Sequence, residues 1–121
     1  MYEQELEFAI KTAKEASEIV RKIYFDNSAI VQIKSDDSPV TQADLLSEKL
    51  IRSRIIENYP EYGILSEETE DNLIRLDKDY VWIVDPIDGT KDYVERTGEF
   101  TINIALSYKG EIVVGVIMIP V

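Results

Sequence analysis

Tyr80-Val81-Trp82-Ile83-Val84-Asp85-Pro86-Ile87-Asp88-Gly89-Thr90 decides how the rest of the sequence is read. Its first five residues are β-branched or aromatic, which suits a pleated, half-buried surface, and they predict a strand. That strand runs directly into two carboxylates. Asp85 closes the hydrophobic run, Pro86 stiffens the turn and donates no backbone hydrogen bond, and Asp88 follows at a spacing that lets both acids turn toward one point. Gly89 permits close approach of the backbone to a ligand, and Thr90 places a hydroxyl at a helix start. Hard divalent cations want such an oxygen-only shell. The same residues also have a plainer reading, because Asp, Pro and Gly are what turns prefer. An EF-hand loop is excluded: with Gly89 as the loop glycine, Val84 and Pro86 fall where the first two acidic ligands belong.

Toward the carboxy terminus, a short helical or irregular piece through Lys91 to Arg96 is followed by Phe100 to Tyr108 and Ile112 to Val121, which flank Lys109-Gly110 and predict an antiparallel hairpin. Toward the amino terminus, Tyr62 to Leu65 predicts a short strand that leads into the acidic run Ser66-Glu67-Glu68-Thr69-Glu70-Asp71. A helix begins after Thr41, a good N-cap with Asp44 as the acidic partner of a capping box, and ends at Asn58-Tyr59-Pro60. Ala43, Leu46, Leu50 and Ile51 are expected to form its buried side. Residues 29 to 34 predict a strand, and Ser35 to Pro39 a polar turn. The first element is a long amphipathic helix over residues 3 to 25, with Leu6, Ala9, Ile10, Ala13, Ala16, Val20, Ile23 and Tyr24 on its buried face. Two helices followed by consecutive strands predict an α+β domain, with the helices packed on a mostly antiparallel sheet.

Composition narrows the chemistry. The chain has 121 residues, of which 45% are apolar, enough for one packed domain. It contains no Cys and no His, which excludes disulfide scaffolds, thiolate and most zinc sites, and cysteine or imidazole catalysis. Any catalysis must use oxygen ligands. The net charge of −11 disfavours nucleic acid and anionic lipid as partners, so a phosphate-bearing ligand needs a cation between itself and the protein. Residues 61 to 99 alone carry twelve acidic and four basic side chains. The amino terminus is acidic where a targeting signal would be basic, and the longest apolar run, Ile112 to Val121, falls short of the ~20 residues of a membrane helix. A soluble cytoplasmic protein is expected. That last run has no polar face and calls for cover on both sides or a neighbour at its edge. The chain is therefore expected to be the first half of a longer protein.

Taken singly, the other candidates have ordinary explanations: Glu67 and Glu68 as a solvated loop, Asp44 as a helix cap, Lys34 as a surface lysine. Taken in order, Lys34, then Pro39-Val40-Thr41-Gln42-Ala43-Asp44, then Ile64-Leu65-Ser66-Glu67-Glu68, then Trp82 to Thr90 resembles the amino-terminal half of the inositol monophosphatase family, magnesium-dependent and lithium-sensitive phosphatases with a layered sugar-phosphatase fold. Lys91-Asp92-Tyr93 and the stretch Glu95 to Leu106 look more like its 3′(2′),5′-bisphosphate nucleotidase branch than the inositol monophosphatases.

The resemblance implies that Glu67, Asp85, Asp88 and the carbonyl of Ile87 hold two or three magnesium ions. The Gly89 and Thr90 backbone, with Lys34, would bind the phosphate. Asp44 and Thr90 would form the pair that orients and deprotonates water, with Glu68 in support. The substrate implied is adenosine 3′,5′-bisphosphate, with inositol phosphate as the alternative. The family takes a further aspartate from a later Trp-Asp-x-Ala-Ala-Gly-type segment that this sequence does not include, so little activity is expected from these residues alone. The non-enzymatic alternative is a truncated cation-binding or interaction module, or a homodimer, pairing through the last strand.

Overall fold

The computed structural model describes residues 1–121. Helix α1 (Glu3–Phe25) is followed by a two-stranded hairpin, β1 (Val31–Ile33) and β2 (Pro39–Thr41), then by α2 (Gln42–Asn58) and β3 (Gly63–Ser66). After a single 3-10 turn at Ile74–Asp77 come β4 (Tyr80–Asp88), the short helix α3 (Thr90–Glu95), β5 (Thr101–Tyr108) and β6 (Glu111–Met118). The main sheet has the order β3-β4-β5-β6. β3 runs parallel to β4, with Leu65 beside Ile83, and the other pairs are antiparallel, so the α+β architecture with a mostly antiparallel sheet is the one observed. No helix is long and apolar enough to cross a membrane.

The core lies between one face of the sheet and the two long helices. Trp82 and Val84 of β4, Ile102, Ile104 and Leu106 of β5 and Val114 of β6 are buried there, against Ala9, Ala13, Ala16 and Val20 of α1 and Ile51 and Ile55 of α2. Alanine at three consecutive inward turns of α1 brings its backbone close to the sheet. The inward stripe of α1 is narrower than its apolar periodicity predicts. Leu6 and Ile10 lie on the exposed margin, and Thr12 and Ser17 take buried positions.

Helix α2 corrects the sequence reading more sharply. Its cap is as expected: Thr41 Oγ accepts the backbone N–H of Ala43 at 3.1 Å, and Asp44 accepts that of Thr41 at 2.8 Å. Its buried face is as expected at Ala43 and Ile51 but not at Leu46 and Leu50. Leu46 is 45% exposed and Leu50 only half-buried, while the inward positions are Ala43, Asp44, Ser47, Glu48, Ile51 and Ile55. The three polar side chains, Asp44, Ser47 and Glu48, share the buried face because each has a partner from another part of the chain.

Two further differences concern proline. Pro39 lies in β2 rather than in a turn, pairing with Ile33 on a two-stranded ribbon where its missing N–H is tolerated. Pro86 does not end β4. Asp85 pairs with Asn103 and Asp88 with Thr101, so β4 has one more residue than β5 between these pairs, and the proline sits in the bulge. β6 ends at Met118, short of the predicted Val121. The sheet face turned away from the helices carries Leu65, Ile83 and Ala105, with Ile112 and Ile117 of β6 exposed at 59% and 71%.

Candidate functional site

Four segments meet at one edge of the sheet. The loop after β3 carries Glu67 and Glu68, the bulged end of β4 carries Asp85, Ile87 and Asp88, the first turn of α2 carries Asp44, and the β1–β2 hairpin carries Lys34. Glu67, Glu68, Asp85, Ile87, Asp88 and Thr90 line one cleft of about 250 Å3, with Lys34 and Gly89 at its wall.

Asp85 is the most perturbed acid in it. Burial, reinforced by the negative charges of Asp88, Glu67, Asp44 and Glu68, pushes its carboxyl up to about 6. Its Oδ1 is buried and has no hydrogen-bond partner. Folded chains rarely leave such an atom unsatisfied. A carboxylate oxygen among four other acids, with no donor in reach, suits a cation. The carboxylates and the Ile87 carbonyl offer only oxygen ligands, which favours magnesium or calcium over softer metals. As the side chains stand, no three acidic groups close around one point. Glu67 extends outward, its side chain 60% exposed, and Asp88 lies on the exposed rim of the cleft. The Asn103 side-chain amide donates to Asp88 Oδ2 at 3.2 Å.

Asp44 is the helix cap that the sequence predicts, and it also accepts a hydrogen bond from Thr90. It is 1% exposed; Oδ2 accepts from the Thr41 backbone and hydroxyl, and Oδ1 accepts the Thr90 hydroxyl at 2.8 Å. The cap therefore fixes a buried carboxylate whose link to the cleft is the hydroxyl of Thr90. Glu68 is held by an ion pair with Lys34. Its side chain, 4% exposed, accepts from Lys34 Nζ at 2.5 Å, while Lys34 stands 4.0 Å from Glu67. Burial raises the Glu68 carboxyl above its usual range although Lys34 opposes this. For Lys34, burial pulls downward, but Glu68, Glu67 and Asp36 outweigh it and hold the ammonium above its usual value. The acidic run is thus only partly a solvated loop: Glu67, Thr69 and Glu70 are exposed, whereas Glu68 is tied down and Asp71 pairs with Arg75 at 2.9 Å.

Gly89 makes the turn into α3 with φ +92°, and a Cβ there would lie 3.1 Å from the Glu99 carbonyl. Ser47, Glu48 and Asn103 are the residues the sequence did not single out. Ser47 donates to the Pro86 carbonyl at 3.1 Å, and Glu48 accepts the Glu68 backbone N–H at 2.7 Å. The one signal available in sequence is that Ser47 and Glu48 follow Asp44 at the spacing that puts all three on one helix face.

The chain matches the model of the inositol monophosphatase family over residues 1–121. It is 38% identical to the 3′(2′),5′-bisphosphate nucleotidase CysQ of Salmonella typhimurium over 96% of this chain and 48% of that protein. Among solved structures it superposes on CysQ from Bacteroides thetaiotaomicron with TM-score 0.82 and 40% identity, over 99% of this chain and 44% of that one. On the extragenic suppressor protein suhB from Bartonella henselae the TM-score is 0.86 at 33% identity, over 94% of this chain and 44% of that one. The chain spans about half the length of these relatives. With the family match running from end to end, the chain belongs to the inositol monophosphatase family.

Proposed function

We propose that residues 1–121 form the metal-binding part of a magnesium-dependent phosphomonoesterase of the 3′(2′),5′-bisphosphate nucleotidase kind, which converts adenosine 3′,5′-bisphosphate to AMP and phosphate. The observation that carries the proposal is the buried, unpartnered Oδ1 of Asp85 in a cleft shared with Glu67 and Asp88. The identity to the Salmonella nucleotidase supports the substrate.

Glu67, Asp85, Asp88 and the Ile87 carbonyl would hold the cations. Magnesium there would supply neutralisation of phosphate charge and acidify an attacking water. The protein's own contribution is position and proton handling. The Thr90 hydroxyl already donates to Asp44, so its lone pairs are available to accept a proton from a water in the cleft while its own proton passes to Asp44. The backbone at Gly89 and Thr90, and the ammonium of Lys34, would hold the phosphate oxygens. The new bond forms between water oxygen and phosphorus, the ester bond to the 3′ oxygen breaks, that oxygen takes a proton from solvent water, and the proton held by Asp44 returns to solvent.

Because the chain spans about half its relatives, the part they possess beyond it would supply a further metal ligand and one wall of the substrate site. Residues 1–121 alone would then bind magnesium and turn over little. Calorimetric titration of magnesium, followed by phosphate release once a carboxy-terminal half is supplied, tests this. Binding that disappears in Asp85→Asn and Asp88→Asn is expected. A chain that ignores magnesium while dimerising tightly would instead be an interaction module. Preference for inositol 1-phosphate over adenosine bisphosphate would move the protein to the other branch.

A further inference from the structure

Helix α2 offers Asp44, Ser47 and Glu48 on one buried face, at 1%, 0% and 3% exposure. Each reaches a different piece of the site. Asp44 takes the Thr90 hydroxyl after β4, Ser47 donates to the Pro86 carbonyl inside the bulge, and Glu48 holds the loop after β3. Glu48 does so with both oxygens. Oε1 accepts the Glu68 backbone N–H at 2.7 Å, and Oε2 accepts the hydroxyl of Thr69. One turn further along, Arg52 donates to Ser66 Oγ at 3.0 Å. Ser66, Glu68 and Thr69 are therefore all fastened to α2, and the unfastened residue between them is Glu67.

A buried carboxylate is costly unless its oxygens are bonded, and an apolar residue would pack this helix against the sheet without that cost. What Glu48 provides and an apolar residue could not is a fixed backbone on the carboxyl side of Glu67. We infer that Glu48 is a positioning residue that locks the β3 loop so that Glu67 is presented to the cations held by Asp85 and Asp88. It touches neither substrate nor metal and acts through Glu67, so the inference rests on Glu67 being a metal ligand.

Magnesium calorimetry with amide hydrogen exchange tests it. In Glu48→Ala the affinity for magnesium is expected to fall about 10–100-fold, the range for residues that orient metal ligands, and exchange at the Glu68 N–H to quicken. Glu48→Gln keeps an oxygen that can accept that N–H and should recover most of the affinity. Should Glu48→Ala fail to fold, Thr69→Val removes the second bond from the exposed side of the loop and should weaken magnesium binding in the same direction. Unchanged affinity in a folded Glu48→Ala or in Thr69→Val would overturn the inference. So would Glu48→Gln binding as weakly as Glu48→Ala while its Glu68 amide stays protected, because the effect would then belong to the lost charge. Failure of the unaltered chain to bind magnesium would defeat the metal reading itself, and that result is seen before any variant is made.

Discussion

The hydroxyl of Thr90 donates to Asp44 across 2.8 Å, joining the first turn of α2 to the first turn of α3 over 46 positions of sequence. The same carboxylate holds the Thr41 cap through its other oxygen. Structure and chemistry therefore separate on substitution. Thr90→Val, in the chain supplied with a carboxy-terminal half, should lower kcat about 100–10,000-fold, the usual worth of general acid–base catalysis, with Thr90→Ser retaining most of the rate. Asp44→Ala should lose stability as well, by about 1–3 kcal/mol, because buried donors lose their acceptor. Phosphate release and denaturant unfolding read the two effects independently.

Asp85 makes stability depend on pH in an unusual direction. Its carboxyl titrates at about 6 in the folded chain, against about 3.9 in an unfolded one. The folded state thus binds the proton more tightly. Below about pH 4 both states are protonated and Asp85 contributes nothing; as pH rises through about 6 the folded chain loses on the order of 1–3 kcal/mol. Asp85→Asn should therefore stabilise the metal-free chain near neutral pH, and the gain should vanish on acidification. Magnesium should reverse the trend, since it replaces the proton: its affinity falls as pH drops through about 6, with proton release on binding. Unfolding midpoints across the pH range, and calorimetry in buffers of different ionisation heat, check both statements. A stabilisation by Asp85→Asn that did not shrink in acid would contradict the first.

Gly89 has no room for a side chain. With φ +92° and the Glu99 carbonyl 3.1 Å from where a Cβ would stand, Gly89→Ala combines backbone strain with a backbone collision. A loss of about 1–3 kcal/mol is expected, together with weakened binding in the cleft, because its wall must shift. Gly110 has a similar φ of +87° but nothing within 4 Å of a Cβ. Gly110→Ala should cost less and leave magnesium binding untouched, and thermal melts of the pair make the comparison.

The revised face of α2 is also open to measurement. Ile51 is completely buried and Leu46 is 45% exposed. Ile51→Ala should cost about 2–5 kcal/mol, and Leu46→Ala no more than about 0.5 kcal/mol. Equal losses in urea titrations would restore the face that apolar periodicity predicts.

Why that periodicity misleads is instructive. Strand β4 and the β5–β6 hairpin could be read because β-branched and aromatic runs have no competing explanation, and the start of α2 could be read because Thr41 and Asp44 form a local cap. A purely local pattern cannot show that Ser47 and Glu48 are buried, since their partners lie 39 and 20 positions away. The direction of β3 is equally nonlocal, depending on Gly63 finding Val81. Strand β2, at three residues and beginning with proline, carries too little signal to distinguish it from a turn. The carboxylates were legible as a group because their order along the chain matches a family. Asn103, which steadies Asp88 from β5, lies in the stretch that resembles the nucleotidase branch, but nothing local in the sequence ties it to Asp88, 15 positions away.

The parallel run of β3 beside β4 amounts to an address for charge. Flipping β3 end for end would still leave Leu65 and Ile64 against β4, although beside different residues of it. It would also carry Glu67 to the far margin, a strand length of about 13 Å at ~3.3 Å per residue, out of partnership with Asp85. Redesigns that keep β3 apolar yet reverse this one segment should be deaf to magnesium.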